Sequence, residues 1–150
     1  MSKIKLSIII VSYNNLSVLI DCINSIYKFN DIGDKLEVII VDNSTNLETY
    51  EYINKNFDEI LVIKNNNNGF GEGNNVGARI AKGDYIVFLN PDTILIEPIF
   101  KFAIKKFNNN DKLSLFGVKL LDSDLKGNMS FYFIDKHSFF FGQLAKILNK

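Results

Sequence analysis

The chain has 150 residues, of which 47% are hydrophobic, and its 17 Lys and Arg side chains balance its 17 Asp and Glu side chains. This length and hydrophobic content suit a folded domain with a core and exclude wholesale disorder. The balanced charge argues against nucleic acid as a partner, and the single cysteine, Cys22, excludes an internal disulfide and favours a reducing, intracellular compartment.

Short apolar runs alternate with amphipathic segments along most of the chain. The runs predict strands over residues 6–11, 36–41, 60–63, 85–89 and 113–121, and the 85–89 run is continuous enough to indicate a strand covered on both faces. Helical spacing predicts helices over residues 16–27, 47–56, 75–82 and 99–107, with an Asn- and Gly-rich loop at 65–74 and Gly83 ending the third helix. We therefore predict one α/β domain over residues 1–150, with a doubly wound, mainly parallel sheet.

The last part of the chain has weaker patterns and many phenylalanines. A strand is predicted over 129–134 and a short helix over 138–148. The aromatic cluster comprises Phe131, Tyr132, Phe133, Phe139, Phe140 and Phe141. We interpret it as core or as a contact in a homo-oligomer, with peripheral membrane contact as the alternative, although no apolar run approaches membrane-spanning length.

Polar side chains follow three of the predicted strands at the point where each strand ends. They are Ser12, Tyr13 and Asn14 after the first strand, Asp42 after the second, and Asn90 and Asp92 after the fourth. Because the carboxyl ends of parallel strands meet at one edge of a sheet, we expect these residues to outline a single crevice. An aromatic ring, a hydrogen-bonding carboxylate and a metal-binding carboxylate suit a base, a ribose and a diphosphate.

The segment 90–93 has two interpretations. Pro91 lacks an N–H group, so the fourth strand should end at Asn90 and leave Asp92 just beyond it. An exposed carboxylate there can hold a hard cation, which in turn can hold a phosphate. The alternative is a turn without a ligand, since Asn, Pro and Asp all favour turns for local backbone reasons.

The glycines of the chain do not fit a dinucleotide fold. A G-x-G-x-x-G fingerprint belongs directly after the first strand, but residues 12–15 are Ser-Tyr-Asn-Asn. The glycines at 69, 71, 73 and 77 follow the third strand instead, and no P-loop lysine follows a glycine loop. This pattern argues against a dinucleotide-dependent oxidoreductase.

Five segments together resemble a known family. They are 7–14 (SIIIVSYN), 38–44 (VIIVDNS), 68–77 (NGFGEGNNVG), 83–93 (GDYIVFLNPDT) and 117–122 (GVKLLD). In this order and spacing, from residue 7 to residue 122, the chain resembles the nucleotide-sugar-binding half of family 2 glycosyltransferases. These are inverting enzymes with the GT-A fold, and the resemblance is closest to the rhamnosyltransferase-like branch.

The resemblance implies a role for each matching residue. Ser12, Tyr13 and Asn14 would line the nucleotide pocket, Asp42 would hydrogen-bond the base, Asn74 and Asn75 would approach the donor, and Asp92 would hold Mg²⁺ or Mn²⁺. Asp92 is the remaining acid of the family's D-x-D motif, because Asn90 occupies the position of the first acid. Many family members carry Arg at the position of Asn74.

The same resemblance implies a transferase. Its donor would be a UDP-, dTDP- or GDP-sugar, and its acceptor would be a saccharide or a lipid-linked saccharide. The enzyme would act in the cytoplasm, at the inner face of the membrane, in the synthesis of a cell-surface polysaccharide. A hexosyltransferase, such as a rhamnosyltransferase, is the enzyme class implied.

The family's catalytic base lies in the acceptor half, and nothing after Asp122 matches that segment. Asp135, the acid near the C-terminus, and His137, the only histidine, both lie outside the matching segments. We therefore expect a chain that stops before the acceptor half and lacks the base. The alternative function is a nucleotide-sugar-binding module without transferase activity.

Overall fold

A parallel sheet forms the centre of the first of two units into which the chain divides. The computed structural model describes residues 3–122 and 124–128, and the units are Met1–Asn110 and Asp111–Lys150. The strand predicted over 129–134, the helix predicted over 138–148 and the Phe-rich cluster lie outside the described residues. The single domain over residues 1–150 stays a prediction.

The sheet of the first unit has four strands in the order β3-β2-β1-β4, and every neighbouring pair is parallel. The strands are β1 (Leu6–Ser12), β2 (Leu36–Asp42), β3 (Ile60–Lys64) and β4 (Tyr85–Leu89). Leu6 pairs with both Leu36 and Tyr85, and Asp42 pairs with Lys64. Because every pair is parallel, the carboxyl ends of all four strands lie at the same edge of the sheet. The predicted strands over 6–11, 36–41, 60–63 and 85–89 are confirmed.

Four α-helices connect or follow these strands. They are α1 (Leu16–Lys28), α2 (Glu48–Asn56), α3 (Phe70–Ile80) and α4 (Phe100–Asn108). The backbone N–H of Lys101 in the first turn of α4 donates to both carboxylate oxygens of Asp31, each at 3.2 Å, which satisfies a helix-end donor from a distant loop. Within the described residues no helix is long and apolar enough to span a bilayer.

The helices cover both faces of the sheet. Leu6, Ile8 and Ile10 of β1 point to a core that includes Leu19, Cys22, Ile23 and Ile26 of α1, Ile53 of α2 and Phe100 of α4. On the opposite face Val11, Ile39 and Val41 pack with Val76 of α3. This alternation is the period-2 pattern of strands buried on two sides. The predicted doubly wound, parallel sheet is confirmed.

The prediction that β4 is covered on both faces was wrong. Tyr85, Val87 and Leu89 contribute to the core, but Ile86 and Phe88 are exposed. Among the described residues, β4 is the last strand on its side of the first unit's sheet, and α3 packs over β1 and β2. A continuous apolar run does not specify whether its strand is central or at an edge, because that depends on strand order.

The start and end of α3 differ from the prediction. The helix begins at Phe70, within the loop predicted for 65–74, and it ends at Ile80 rather than at Gly83. Gly83 serves close packing: a Cβ atom there would lie 2.6 Å from the backbone nitrogen of Ser7. The low helix propensity of the glycines at 71 and 73 conceals the first turns of α3 in the sequence.

The second unit contains a short antiparallel pair among its described residues. Its strands are β5 (Leu120–Leu121) and β6 (Gly127–Asn128), joined by a turn in which Asp122 Oδ1 accepts bonds from the backbone N–H groups of Asp124 and Lys126. The strand predicted over 113–121 was therefore wrong for residues 113–119. Leu115 and Val118 are exposed, so the apolar run lacks the burial that would stabilise a longer pairing.

Close packing of α3 on β1 gives the first testable prediction. A Cβ atom at Gly77 would lie 2.5 Å from Ile9 Cγ2, whereas a Cβ at Gly71 would meet nothing within 4 Å. We expect Gly77→Ala to lower the free energy of unfolding by about 1–3 kcal/mol, because the helix must shift away from the sheet. Urea unfolding followed by circular dichroism measures this change.

Gly71→Ala is the matched control on the same helix. It should raise the free energy of unfolding by up to about 1 kcal/mol, because alanine loses less conformational entropy in a helix. Equal stabilities of the two variants would contradict the close-packing argument.

Candidate functional site

A cavity of about 540 Å³ lies at the carboxyl edge of the sheet in the first unit. Its lining comes from the ends of β1, β2 and β4, from the first turns that follow β1 and from the segment before and at the start of α3. The lining residues are Val11, Tyr13, Asn15, Val18, Asn43, Asn67, Phe70, Asn90, Pro91 and Asp92. Of the predicted site residues, the structure brings together Tyr13, Asn90 and Asp92 in this cavity.

The turn after β1 directs Tyr13 outward. Ser12 is fully buried, and its Oγ donates to Asn15 Oδ1 at 2.6 Å, an oxygen that also accepts the Tyr13 N–H at 3.3 Å. Asn14 has a φ of 49°, in the left-handed region that asparagine tolerates better than most residues. The Tyr13 side chain is consequently 49% exposed at the cavity, while Asn15 holds the turn and does not cap α1 with its side chain.

Asp42, at the end of β2, is buried and does not line the cavity. Asp42 is 0% exposed, and its Oδ1 accepts the Ser44 N–H at 3.0 Å while its Oδ2 lies 3.1 Å from Lys64 Nζ. The next residue, Asn43, lines the cavity, and its N–H continues the sheet pattern by donating to Ser12 O at 2.8 Å. Asp42 therefore supports the polar segment that follows it.

The corner after β4 is held by α1. The Cys22 thiol donates to Asn90 O at 3.8 Å, and the Leu95 N–H donates to the buried Ser25 Oγ at 3.0 Å. A bond from the Thr93 N–H to Asn90 O at 3.1 Å closes the turn between them. Both features of the sequence interpretation are thus present: 90–93 is a turn, and the turn carries the exposed Asp92 into a cavity.

The chemistry of Asp92 and Asn90 suits a hard cation. Both are exposed and both contribute oxygen atoms, the donor type that Mg²⁺ and Mn²⁺ prefer. Across residues 3–122 and 124–128 there is no cluster of three or more His, Cys, Asp or Glu side chains that would enclose a metal. A site with one carboxylate fits a cation that takes its remaining ligands from water and from a phosphate-bearing ligand.

Asn74 and Asn75 lie on α3, outside the cavity lining. Asn75 is exposed, and its Nδ2 lies 3.5 Å from Glu72 Oε2 on the same helix. Asn67 and Phe70, which the sequence interpretation did not include, line the cavity in their place, and the Phe70 side chain is 53% exposed. The signal that could identify them is an aromatic residue at the start of a glycine-rich helix and an amide three residues before it.

A second cavity, of about 480 Å³, adjoins the ends of β2 and β3. All of its lining residues have polar side chains: Asn43, Ser44, Thr45, Lys64, Asn65, Asn66 and Asn67. A chain of amides connects it to the first cavity: Asn65 Nδ2 donates to Asn43 Oδ1 at 2.8 Å, and Asn43 Nδ2 lies 3.4 Å from Asn67 Oδ1. Asn43 and Asn67 line both cavities.

Comparison with protein families and with individual proteins gives consistent matches. The model of Glycosyl transferase family 2 matches residues 7–142. Escherichia coli WfaP, named UDP-Glc:alpha-D-GlcNAc-diphosphoundecaprenol beta-1,3-glucosyltransferase, is 38% identical over 88 residues, which are 57% of this chain and 34% of WfaP. Staphylococcus aureus TarS, named Poly(ribitol-phosphate) beta-N-acetylglucosaminyltransferase, is 26% identical over 103 residues, which are 66% of this chain and 18% of TarS.

Solved structures agree with these matches. The crystal structure of S. aureus TarS 1-349 in complex with UDP has a TM-score of 0.63 and 25% identity, over 71% of this chain and 32% of that one. A mannosyltransferase from Pyrobaculum calidifontis, in complex with GDP-Man and Mn²⁺, has a TM-score of 0.56 at 20% identity over 66% of this chain and 30% of that one, a likeness of fold. The predicted GT-A type of sheet is confirmed. The chain spans less than half of the length of the curated relatives that it matches.

The burial of Cys22 gives a prediction about the contact between α1 and the corner after β4. Burial raises the pKa of the Cys22 thiol to about 12 from its ordinary 9.0, and the negative charge of Asp92 acts in the same direction. The fraction of thiolate at pH 8 is then lowered roughly a thousandfold, so we expect iodoacetamide to leave the folded chain unmodified over the time in which it alkylates the unfolded chain.

Mass spectrometry of the chain, with and without guanidinium chloride, measures this modification at its one cysteine. Rapid alkylation of the folded protein would show that the contact between α1 and the Asn90 corner opens readily, contrary to the buried position of Cys22.

Proposed function

The chain belongs to glycosyl transferase family 2, and we propose that the cavity at the carboxyl edge of its sheet binds the nucleotide of a sugar donor for cell-surface polysaccharide synthesis. The observation that carries this proposal is the meeting of Tyr13, from the end of β1, with Asn90 and Asp92, from the end of β4, in one cavity. An aromatic ring and an oxygen-donor pair in one cavity suit the base and the diphosphate of a nucleoside diphosphate.

The base would bind beside Tyr13. The exposed rings of Tyr13 and Phe70 offer apolar faces, and the amides of Asn43 and Asn67 offer hydrogen bonds. Two relatives favour a uridine nucleotide. The name of WfaP includes UDP-Glc, and the structure of TarS 1-349 has been solved in complex with UDP.

In this proposal Ser12, Asn14 and Asp42 do not contact the ligand but support the residues that do. Ser12 and Asn14 hold the turn that carries Tyr13, and Asp42 holds the segment that carries Asn43. The expected approach of Asn74 and Asn75 to the donor stays a prediction, as do inversion, a rhamnosyl donor and a dTDP carrier.

The diphosphate would bind beside Asp92. Asp92 and Asn90 would hold Mg²⁺ or Mn²⁺, and the cation, when bound, neutralises the charge of the departing nucleoside diphosphate. The protein holds this pair in place by the turn from Asn90 to Thr93 and by the contacts of that turn with α1. The Mn²⁺ in the Pyrobaculum structure belongs to a protein of the same fold and supports a divalent cation in general.

The acceptor would be a saccharide or a lipid-linked saccharide, which the WfaP name supports through its diphosphoundecaprenol acceptor. A lipid-linked acceptor would bring the chain to the inner face of the membrane. Removal of the proton from an acceptor hydroxyl needs a general base. Among the described residues that line the cavity Asp92 is the only acid, and it is assigned to the cation.

This distribution of acids favours a second candidate function, binding of a nucleotide sugar without transfer. Incubation of the chain with UDP-glucose, Mn²⁺ and a lipid-linked saccharide separates the two candidates. Release of UDP together with a glycosylated acceptor supports the transferase, and tight binding without product supports the binding module.

Cation-assisted binding is the sharpest expectation for Asp92. Isothermal titration of the protein with UDP should give a higher affinity in the presence of Mn²⁺ than in EDTA. Asp92→Asn should remove roughly 10- to 100-fold of that Mn²⁺-dependent affinity, because an amide is a weaker ligand than a carboxylate.

Asp84→Asn is the matched control at the opposite end of the same strand. Asp84 is exposed and pairs with Lys3 at 2.7 Å and Lys5 at 2.8 Å, far along β4 from the cavity. It should bind UDP and Mn²⁺ like the wild type. A wild type that fails to bind UDP, GDP and dTDP in either condition would refute the proposed function.

Stacking on Tyr13 is tested by its truncation. We expect Tyr13→Ala to weaken UDP binding by about 1–3 kcal/mol, or roughly 5- to 150-fold, because the base loses an aromatic face. Tyr52→Ala is the control, since Tyr52 is exposed on α2 and lines neither cavity. Unchanged affinity in Tyr13→Ala would place the base elsewhere in the cavity.

A further inference from the structure

Lys64, the last residue of β3, connects the end of its strand to the segment after β2. Its Nζ lies 3.1 Å from Asp42 Oδ2, donates to Asn46 O at 2.8 Å and also donates to Ser44 O. Its side chain is 29% exposed, and it lines the polar cavity of about 480 Å³.

These contacts use the whole donor capacity of the lysine. An ammonium group has three N–H bonds, and Lys64 directs them to a carboxylate and two backbone carbonyls. Lys64 is therefore not available as a ligand for a phosphate, even though a cation beside a nucleotide site would suggest that role. All three of its N–H donors bind groups of the protein itself.

The arrangement fixes the shape of residues 42–46. Asp42 is wholly buried, and a buried carboxylate without its cation is strongly unfavourable. Since Asp42 Oδ1 accepts the Ser44 N–H and Lys64 binds the carbonyls of Ser44 and Asn46, both sides of the segment are held by one ion pair.

The segment 42–46 is hydrogen-bonded to the turn that carries Tyr13, which lines the first cavity. Ser44 Oγ accepts the backbone N–H of Asn14 at 2.8 Å, and Asn14 is the left-handed residue that turns the chain directly after Tyr13. Asn43, between Asp42 and Ser44, lines the cavity itself. The path from Lys64 to Tyr13 consists of an ion pair and two hydrogen bonds.

We infer that Lys64 is a positioning residue of the nucleotide site: through Asp42 and Ser44 it sets the Asn14 turn and thereby the placement of Tyr13 and Asn43. This inference rests on the proposed function, since it assigns Lys64 a role in binding of the nucleotide base. It gives the ion pair a purpose beyond stability, because the segment that the pair holds carries residues of the cavity.

Chemical rescue tests the inference. Lys64→Ala should weaken UDP binding roughly tenfold or more, as removal of supporting partners does at other ligand sites. Propylammonium should restore most of that affinity, because it can enter the polar cavity beside residue 64 and offer N–H donors to Asp42 and the two carbonyls. Tetramethylammonium at the same ionic strength has no N–H group and should restore nothing.

Two further variants separate positioning from stability. Ser44→Ala keeps the ion pair and removes the acceptor of the Asn14 N–H, so it should weaken UDP binding without response to propylammonium, and it replaces Lys64→Ala if that variant does not fold. Lys55→Ala, at an exposed lysine in the last turn of α2, should bind UDP like the wild type.

The outcomes are distinct. A Lys64→Ala variant that is less stable but, where folded, binds UDP like the wild type would overturn the role of Lys64 and leave the proposed function intact. Lost affinity that neither ammonium ion restores would also overturn it. A wild type that binds no nucleotide overturns the proposed function, and the inference with it.

Discussion

The buried carboxylate of Asp42 is the constraint on which the carboxyl edge of the sheet depends. It has no contact with solvent, so its charge must be balanced inside the protein, and Lys64 balances it from the neighbouring strand. The same ammonium group binds two carbonyls of the segment that follows β2. Parallel pairing of β2 with β3, which sets Asp42 beside Lys64, is what makes this arrangement possible.

A second constraint is steric and acts on α3. The glycines at 73 and 77 allow this helix to lie against Val11 and Ile9, where side chains would collide. Close contact brings the start of α3, with Phe70, to the edge where β1 ends. The glycine-rich segment thus contributes to the proposed site by permitting approach of a helix, whereas a glycine-rich phosphate loop would contribute its N–H groups.

These two constraints explain why some residues of the proposed site line the cavity while others support the backbone beneath them. Tyr13, Asn90 and Asp92 reach the cavity, while Ser12, Asn14 and Asp42 shape the backbone on which cavity residues stand. A resemblance that assigns residues by position in a motif does not separate these two groups, because whether a side chain at a strand end reaches the cavity depends on the turn that follows the strand. The chain belongs to glycosyl transferase family 2, and the cavity indicates which of its side chains can take part in the proposed nucleotide binding.

The sequence by itself determined the four strands of the first unit, three of that unit's four helices within a residue or two, and the parallel doubly wound sheet. It also determined the position of Asp92 beyond a strand that Pro91 ends. Local patterns carry this information, because burial on two faces and a missing N–H group leave direct marks in the chain. Only the tertiary structure decided that β4 is the last strand on its side of the sheet among the described residues, and that α3 begins at Phe70. It also decided that Asp42 is buried against Lys64, and that the cavity is lined by Asn43, Asn67 and Phe70. Each of these depends on contacts between residues distant in sequence, which no local pattern encodes.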